Sequence, residues 1–426
     1  MEFAVLFGSF LVLILLTVPV GYAIGISTLI TLYFFSDISF VMISQNAVAG
    51  VDSFSLLAIP FFILAGSLMS AGGLAKRLLN FANICVGAVT GGLAMVTTVT
   101  CMFFAALSGS AVATTSAVGS FMIPAMKEKG YDEGFAAALA AAAGTIGIII
   151  PPSIPLVIYG VVVGASIGEL FIAGIIPGII MGVAILIVCY VISKKKGYRG
   201  TAEKLTLKSF SHSFVDAIWA FMAPGIILGG IYWGICTPTE AAVIAVLYSL
   251  FTGVVIYREL TFAKIYEAFV ETLTVNGATT FMVGLSMAFA SYLIMAGLPQ
   301  QIASFLISIT DSRIVLFMIV NLFLLAVGSL IDPIPAIIIL APILLPVMTK
   351  FGMSPVTFGV VLVANLAIGY ITPPYGVNLF VAMAVAKIPM ERMFKYIVAL
   401  FLAMLAALML ITYCDSATMY LVRFLE

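Results

Sequence analysis

Apolar runs of about 20 residues follow one another along the whole sequence, with only short polar segments between them. As a helix, such a run crosses a hydrocarbon core of roughly 30 Å, and lipid requires every backbone group to pair within the protein. Charged residues make up 8% of the 426 positions, far below the roughly 25% of soluble domains. The sequence therefore predicts an all-α polytopic membrane protein with no room for a soluble catalytic domain.

The first apolar run, at positions 3–35, has no basic segment before it and no small-residue cleavage site. This pattern predicts mature membrane structure and not a removed signal peptide. Proline and glycine interrupt the run at Pro19 and Gly21. The run is consistent with one long tilted helix or with two short ones divided at that point.

Several functional classes lack their signatures in this sequence. A formal net charge of zero predicts no nucleic-acid binding. Five cysteines without CxxC spacing and a single histidine, His212, indicate neither a disulfide framework nor a transition-metal site. No GxxxxGK[ST] phosphate loop is present, so the sequence predicts no ATP-driven pump. A membrane-embedded enzyme would need a cluster of acid, base or metal ligands, which the sequence lacks.

Basic residues predict the orientation in the membrane. The linker at 193–213 carries six of them, which places it in the cytoplasm, together with the turns around Lys127 and Arg392. Two segments, 91–126 and 314–349, are each interrupted near the middle by polar residues. The orientations agree only if both segments are re-entrant helical hairpins that open to opposite sides of the membrane. The six basic residues of the linker are Lys194, Lys195, Lys196, Arg199, Lys204 and Lys208.

The two halves of the chain repeat one another. Positions 124–152 align without a gap with positions 346–374, which lie 222 residues later. The opposite orientations make this an inverted repeat, a signature of secondary transporters whose binding site lies between the matched helix breaks. The matches include Pro124 with Pro346, Gly130 with Gly352, Gly147 with Gly369, and both double prolines.

Each double proline predicts a break in a transmembrane helix, at Pro151–Pro152 and at Pro373–Pro374. Proline donates no N–H and clashes with the carbonyl four residues earlier, so each pair frees carbonyls in the preceding turn. Those carbonyls belong to Gly147, Ile148, Gly369 and Tyr370. Free carbonyls opposite a hydroxyl-rich hairpin would suit an alkali cation. The alternative is a kink whose carbonyls are satisfied by neighbouring Ser or Thr side chains.

The middles of the two hairpins carry the remaining candidates. The first has Ser108, Gly109 and Ser110, followed by Thr114 and Thr115. The second has Gly328, Ser329 and an intramembrane carboxylate, Asp332, which either serves the site or caps the helix that begins at Pro333. Proton-driven carriers usually place several Asp, Glu or His side chains within the membrane. These segments offer one carboxylate among many hydroxyls and carbonyls, so sodium is favoured over protons as the coupling ion. Polar side chains after the breaks, at Ser153, Tyr375 and Asn378, are candidates for contact with substrate, whereas Glu240 is interpreted as a helix-start residue.

Four motifs together resemble the large membrane subunit of tripartite ATP-independent periplasmic (TRAP) transporters, over essentially the whole chain. The motifs are AIPFFILAGSLM at 58–69, FFAALSGSAVATTSAVG at 103–119, GIIIPPSIPLVIYG at 147–160 and GYITPPYGVNLFVA at 369–382. The resemblance implies an elevator-type carrier of the ion-transporter-superfamily kind in the bacterial inner membrane, driven by sodium and without a cofactor. Carried over by position, the sodium sites fall on Ser108, Ser110, Gly147, Ile150 and Pro152 and on Gly328, Asp332, Gly369, Thr372 and Pro374.

The resemblance also implies partners and a substrate class. The partners are a small four-helix membrane subunit, expected as a separate polypeptide, and a periplasmic substrate-binding protein. The substrate is a small carboxylate, either sialic acid or a C4-dicarboxylate, and the chain looks closest to the sialic-acid branch. An ion channel, against which the two opposed hairpins argue, and a proton-coupled carboxylate carrier without a binding protein are the alternatives.

The predicted organisation follows from these elements. Scaffold helices and connecting arms occupy 1–57 and 214–276, and the cytoplasmic linker occupies 193–213. The first repeat, 58–192, holds the hairpin 91–126 and the broken helix 131–165. The second repeat, 277–426, holds the hairpin 314–349, the broken helix 355–386 and a C-terminal helix.

Overall fold

The computed structural model describes residues 2–36, 38–200 and 206–425, and throughout these residues the fold is helical with no strands. Lys204 of the basic linker lies outside the described residues. The N-terminal apolar run forms two helices, α1 (Glu2–Leu15) and α2 (Val20–Phe35), with Pro19 immediately before the second. Of the two possibilities that the sequence left open, two short helices is therefore the structure adopted. Helix α3 (Phe40–Val51) follows.

The rest of the described chain forms seventeen further α-helices. Those of the first half and the middle are α4 (Ala58–Ala71), α5 (Leu74–Val86), α6 (Gly92–Ser108), α7 (Ala111–Glu128), α8 (Glu133–Gly144), α9 (Ile154–Val163), α10 (Ile167–Lys196), α11 (Leu207–Tyr232) and α12 (Pro238–Phe251). Those of the second half are α13 (Phe262–Met295), α14 (Leu298–Ile309), α15 (Arg313–Gly328), α16 (Pro333–Lys350), α17 (Pro355–Gly369), α18 (Val377–Ala386), α19 (Met390–Tyr413) and α20 (Ser416–Leu425).

Seven helical segments within the described residues are long and apolar enough to cross a membrane. They include helices α10, α13, α16 and α19 and most of helix α11. Their outward faces carry many large apolar side chains, such as Leu273 and Leu402, which is the composition expected where lipid is the solvent. The seven segments are Phe54–Ala71, Ile167–Lys196, Lys208–Tyr232, Pro238–Ile256, Phe262–Met295, Pro333–Lys350 and Met390–Tyr413.

Two helix pairs occupy the positions of the predicted hairpins. In the first pair, α6 ends at Ser108 and α7 begins at Ala111, and the turn between them needs Gly109 at φ +60°, which strongly favours glycine. Ser110 caps α7 by accepting a hydrogen bond from the N–H of Ala113 at 3.3 Å. In the second pair, α15 ends at Gly328 and α16 begins at Pro333. We call the turns at 108–110 and 328–332 the first and second tips.

Both double prolines lie in interruptions between helices. The first interruption follows α8 and a 3₁₀ turn (Thr145–Ile148) and ends where α9 begins at Ile154. The second separates α17 from α18, at 370–376. Both proline–proline peptide bonds are cis. We call these segments, 149–153 and 370–376, the first and second breaks.

The helices that precede the breaks form the centre of the protein. Every residue of α8 from Gly134 to Gly144 is buried, as is every residue of α17 from Val356 to Gly369. The run of alanines in α8 allows neighbouring helices to approach closely, which is how helices associate when lipid removes the hydrophobic driving force. The breaks and tips are thus held by the best-packed part of the molecule.

Ion pairs join the two turns that the basic residues place in the cytoplasm. Lys127 pairs with Glu133 at 2.6 Å in the turn before α8. Arg392 approaches the same Glu133 at 3.7 Å, and Lys395 approaches Asp132 at 3.7 Å. Turns from the two halves therefore lie at the same end of the molecule, as the charge pattern requires.

Candidate functional site

A cavity of about 610 Å³ lies between helices α4 and α13 on one side and the two tips on the other. This volume falls within the roughly 300–1,000 Å³ of small-molecule sites. Its wall is mainly apolar, with a limited set of polar side chains and two carboxylates, and it includes no Lys, Arg or His. The polar and charged residues of the wall are Ser67, Ser70, Ser108, Ser110, Ser116, Thr279, Tyr370, Glu271 and Asp332.

The first tip is bound to the first break. The backbone N–H of Ile154, the first residue of α9, donates to the carbonyl of Gly109 at 3.3 Å. Glycine is needed on both sides of this contact. A Cβ at Gly109 would lie 2.8 Å from the carbonyl oxygen of Pro152, and a Cβ at Gly147 would lie 2.6 Å from that of Ser110. Tip and break therefore meet backbone to backbone.

The first tip also gathers oxygen atoms. The hydroxyls of Ser108 and Thr114 lie 2.8 Å apart, and Thr114 donates to the carbonyl of Ser110 at 2.8 Å. Ser108 approaches the same carbonyl at 3.3 Å. Three residues predicted from the sequence are therefore brought together, and their oxygens retain lone pairs that a hard cation could use.

The second tip makes the corresponding contact with the second break. The N–H of Tyr375 donates to the carbonyl of Ser329 at 2.9 Å. A Cβ at Gly369 would lie 2.7 Å from the Cα of Gly328 and closer still to its carbonyl group. Thr372 lies in this break and donates its hydroxyl to the carbonyl of Ile368 at 2.9 Å. The two halves therefore build the same kind of junction.

Asp332 caps a helix, which is one of the two roles weighed for it from the sequence, and it also borders the cavity. One carboxylate oxygen accepts the N–H of Ile334 at 3.0 Å, so Asp332 caps α16. The other oxygen accepts the hydroxyl of Tyr370 at 3.2 Å, which joins the second tip to the second break. Asp332 and Tyr370 also line the cavity. Capping and a place in the site are thus compatible.

The structure corrects the prediction of four free carbonyls for three of them, those of Ile148, Gly369 and Tyr370. Ser153 donates its hydroxyl to the carbonyl of Ile148 at 2.6 Å. The carbonyl of Gly369 accepts the N–H of Thr372 at 2.9 Å, and that of Tyr370 accepts the N–H of Asn378 at 3.2 Å. Ser153 and Asn378 follow the double prolines and Thr372 directly precedes the second one, so residues beside the double prolines supply these donors. Each such carbonyl keeps a second lone pair.

Several other predicted residues lie outside the cavity wall. Thr115 is fully buried and faces Gly144 of α8. Asn378 is fully buried and donates to the carbonyl of Ala141 at 3.1 Å, which ties α18 to α8. Ile150 packs against Gly178 of α10, whereas Pro374 is exposed.

Three of the predicted substrate contacts therefore face other parts of the protein in this structure. Ser153 and Asn378 donate hydrogen bonds to backbone carbonyls, and Thr115 packs against Gly144. Tyr375 contributes its N–H to the second tip and is absent from the cavity wall. Gly109 does line the cavity.

Sequence reasoning missed the wall opposite the tips. Glu271 and Thr279 belong to α13, and Ser67 and Ser70 belong to α4. The sequence prediction placed Glu271 among the scaffold helices and connecting arm at 214–276 and gave it no role in the site. Because α13 is one continuous helix of 34 residues, Glu271 lies within it. The signal that could have found it is an acidic residue inside an uninterrupted helical pattern.

Comparison with known proteins agrees with this architecture. The family model described as "Tripartite ATP-independent periplasmic transporter, DctM component" matches residues 7–417. Among solved structures, the YdaH transporter of Alcanivorax borkumensis is similar in fold, with a TM-score of 0.58 at 15% identity over 86% of this chain and 87% of that one.

Relatives with named substrates are more similar in sequence. The isethionate TRAP transporter permease DctMQ of Oleidesulfovibrio alaskensis is 44% identical over 98% of this chain, which spans 66% of that relative's length. The C4-dicarboxylate large permease DctM of Pseudomonas aeruginosa and the sialic-acid large permease SiaM of Vibrio cholerae are each 37% identical, over 95% of this chain and 94% of theirs. Identity therefore does not favour the sialic-acid branch.

Together, the matched family model and these relatives identify the chain. The relatives are transporter permeases, which makes its role transport and not enzymatic catalysis. The chain belongs to the DctM family, the large membrane component of TRAP transporters, and is a multi-pass inner-membrane protein.

Proposed function

We propose that this chain takes up a small organic anion by sodium symport, as the large membrane subunit of a tripartite transporter. The observation that carries the proposal is the matched pair of junctions. In each half, a tip carbonyl accepts the N–H of a residue just after the double proline. Both tips border one cavity, so ions held at the junctions would act directly on a substrate bound between them.

The oxygen donors at the junctions favour sodium. At the first, the hydroxyls of Ser108 and Thr114 and the carbonyl of Ser110 lie within about 3 Å of one another. At the second, the carbonyl of Gly369 at the end of α17 accepts the N–H of Thr372, whose hydroxyl lies in the second break. Hydroxyl and carbonyl oxygens around unwound backbone are the ligands that sodium uses in secondary transporters.

A proton-coupled carrier is the second candidate. The carboxylates of Asp332 and Glu271 both line the cavity, and intramembrane carboxylates serve proton relays in many carriers. Asp332 is already engaged as the cap of α16 and by Tyr370, and hydroxyl and carbonyl oxygens outnumber carboxylates at the two junctions. Sodium is therefore the better candidate.

The substrate class follows from the cavity and the relatives. Isethionate, C4-dicarboxylates and sialic acid, which the relatives' names give, are all small organic acids. The N-terminal end of α7 borders the cavity at Val112, whereas that of α16 is already capped by the carboxylate of Asp332. Helix N-termini carry partial positive charge, which attracts an anion where no Lys or Arg is present.

Transport by this arrangement would be of the elevator type. The hairpins and broken helices, which share the tightly packed centre, move together as inverted repeats against a scaffold that includes α4 and α13. The partners are a small membrane subunit and a periplasmic substrate-binding protein. The relative designated DctMQ, of which this chain spans 66%, supports a second membrane component.

A sodium titration of uptake tests the site assignment. The complete transporter is reconstituted in proteoliposomes, and Ser108→Ala and Thr372→Ala are compared with Ser120→Ala. Ser120 is an exposed serine of α7 that bonds only within its own helix. Both site variants should need more sodium for half-maximal uptake, and Ser120→Ala should not. Unchanged titrations in both site variants would contradict the assignment.

A further inference from the structure

Glu271 is the carboxylate of the cavity wall with one oxygen that accepts no hydrogen bond within the described residues. Its Oε2 accepts the hydroxyl of Ser67 at 2.9 Å, which links α13 to α4. Its Oε1 has no hydrogen bond within the described part of the chain, and Glu271 forms no ion pair there. By contrast, both oxygens of Asp332 are already engaged.

Glu271 belongs to the face of α13 that borders the cavity. Val275, Thr279 and Met282 follow it at helical spacing, and all four line the cavity. The opposite wall is the first tip and the start of α7. The cavity is therefore asymmetric, with a helix N-terminus on one side and a carboxylate on the other.

This asymmetry constrains the substrate. An anionic group is attracted to the start of α7 but repelled by Glu271, since no Lys, Arg or His of the wall offsets that charge. A substrate with negative groups at both ends would place one of them against the carboxylate. A hydroxyl there would instead donate a hydrogen bond to Oε1, and such a bond to a charged acceptor is among the stronger ones.

We propose that Glu271 is a specificity-determining residue, which selects small organic anions that carry a hydroxyl group over analogues that lack it. This inference rests on the proposed function, because it assumes that the substrate occupies this cavity. A hydrogen bond to a charged group is worth about tenfold or more in affinity. Sites built to bind a substrate hydroxyl discriminate against analogues that lack it by similar or larger factors.

Matched ligands that differ by one hydroxyl test the proposal. Two pairs of ligands are compared: isethionate (2-hydroxyethanesulfonate) with ethanesulfonate, and malate with succinate. Calorimetry measures the binding of each ligand to the purified membrane complex in saturating sodium. The wild type should bind the hydroxylated member of at least one pair about tenfold more tightly. Glu271→Leu should reduce that ratio to below about threefold without weakening the hydroxyl-free member.

Two further variants separate recognition from structure. Glu267→Leu removes an exposed acidic residue one turn earlier on α13, outside the cavity wall, and should keep the wild-type ratio. Ser67→Ala breaks the link between α13 and α4 but leaves the carboxylate, so it should also keep the ratio. If Ser67→Ala lowers the ratio of the two affinities as much as Glu271→Leu does, Glu271 only holds the helices together and the proposal is wrong.

The outcomes distinguish this inference from the proposed function. Equal binding of both members of each pair by the wild type would overturn the role of Glu271 and leave small-anion transport standing. Binding of no member of either pair would also overturn this inference, whereas the proposed function is tested separately by sodium-driven uptake.

Discussion

Replacing Gly369 by alanine should disrupt the second junction more than the same replacement at any other glycine of that junction. Its Cβ would lie 2.7 Å from the Cα of Gly328, whereas ordinary contacts are 3.4–4 Å. The two backbones would have to separate by more than about 0.7 Å, because the carbonyl group of Gly328 lies closer still. Because both are buried backbone and not flexible side chains, neither can rotate away.

The energetic cost can be estimated. Overpacking a close-packed interior costs about 1–3 kcal/mol. If this strain opposes the geometry that binds a cation, affinity falls by about 5- to 150-fold. Gly328→Ala should cost less, because its nearest atom, the Cα of Leu366, would lie at 3.2 Å. Gly277→Ala is the control, since a Cβ there meets nothing within 4 Å.

The assay is thermal denaturation of the purified protein with and without sodium. The melting temperature should fall in the order Gly277→Ala, Gly328→Ala, Gly369→Ala, and stabilisation by sodium should be smallest in Gly369→Ala. Gly277→Ala should melt no lower than the wild type, because alanine favours the helix. If Gly369→Ala kept the stability and sodium response of the wild type, close contact between tip and break would not be required.

Two further predictions concern stability away from the cavity. Asn321 bridges Asn365 and Thr412 through buried hydrogen bonds of 2.8 and 3.0 Å, so Asn321→Leu should lower the free energy of unfolding by about 1 kcal/mol. Sodium titration of uptake should not change, and a change would contradict a purely structural role. Burial raises the pKa of Asp132, but hydrogen bonds from Phe135 and other groups hold it below 3.8 overall. The destabilisation by Asp132→Ala should therefore be largest at neutral pH and shrink as the pH falls below 3.8, which melting curves at pH 3 and 7 would check.

Local chemistry made the breaks and tips predictable from the sequence. Two successive prolines remove two N–H donors and crowd the preceding turn, so both double prolines coincide with interruptions, whereas single prolines such as Pro124 lie within helices. Gly109 and Asp332 likewise mark turns through positive φ and capping. The observed helix pairs agree with the predicted hairpins to within about two residues, which is the usual uncertainty of helix ends.

Tertiary packing decided what the sequence did not reveal. Whether the carbonyl of Ile148 stays free depends on which way the hydroxyl of Ser153 turns. Whether Asn378 faces the cavity or α8 depends on how the two halves dock. Glu271 enters the site only because α13 runs unbroken past α4. None of these relations follows from spacing along the chain.

The central claim is sodium-coupled uptake through a cavity shared by the two halves. The most direct measurement is uptake of labelled organic anions into proteoliposomes that contain the membrane complex, with binding protein outside. Isethionate, succinate and sialic acid would be compared under imposed sodium or proton gradients. An inward sodium gradient should drive accumulation of one of them, and only with the binding protein present. Equal uptake driven by a proton gradient without sodium, or uptake by this chain alone, would contradict the account.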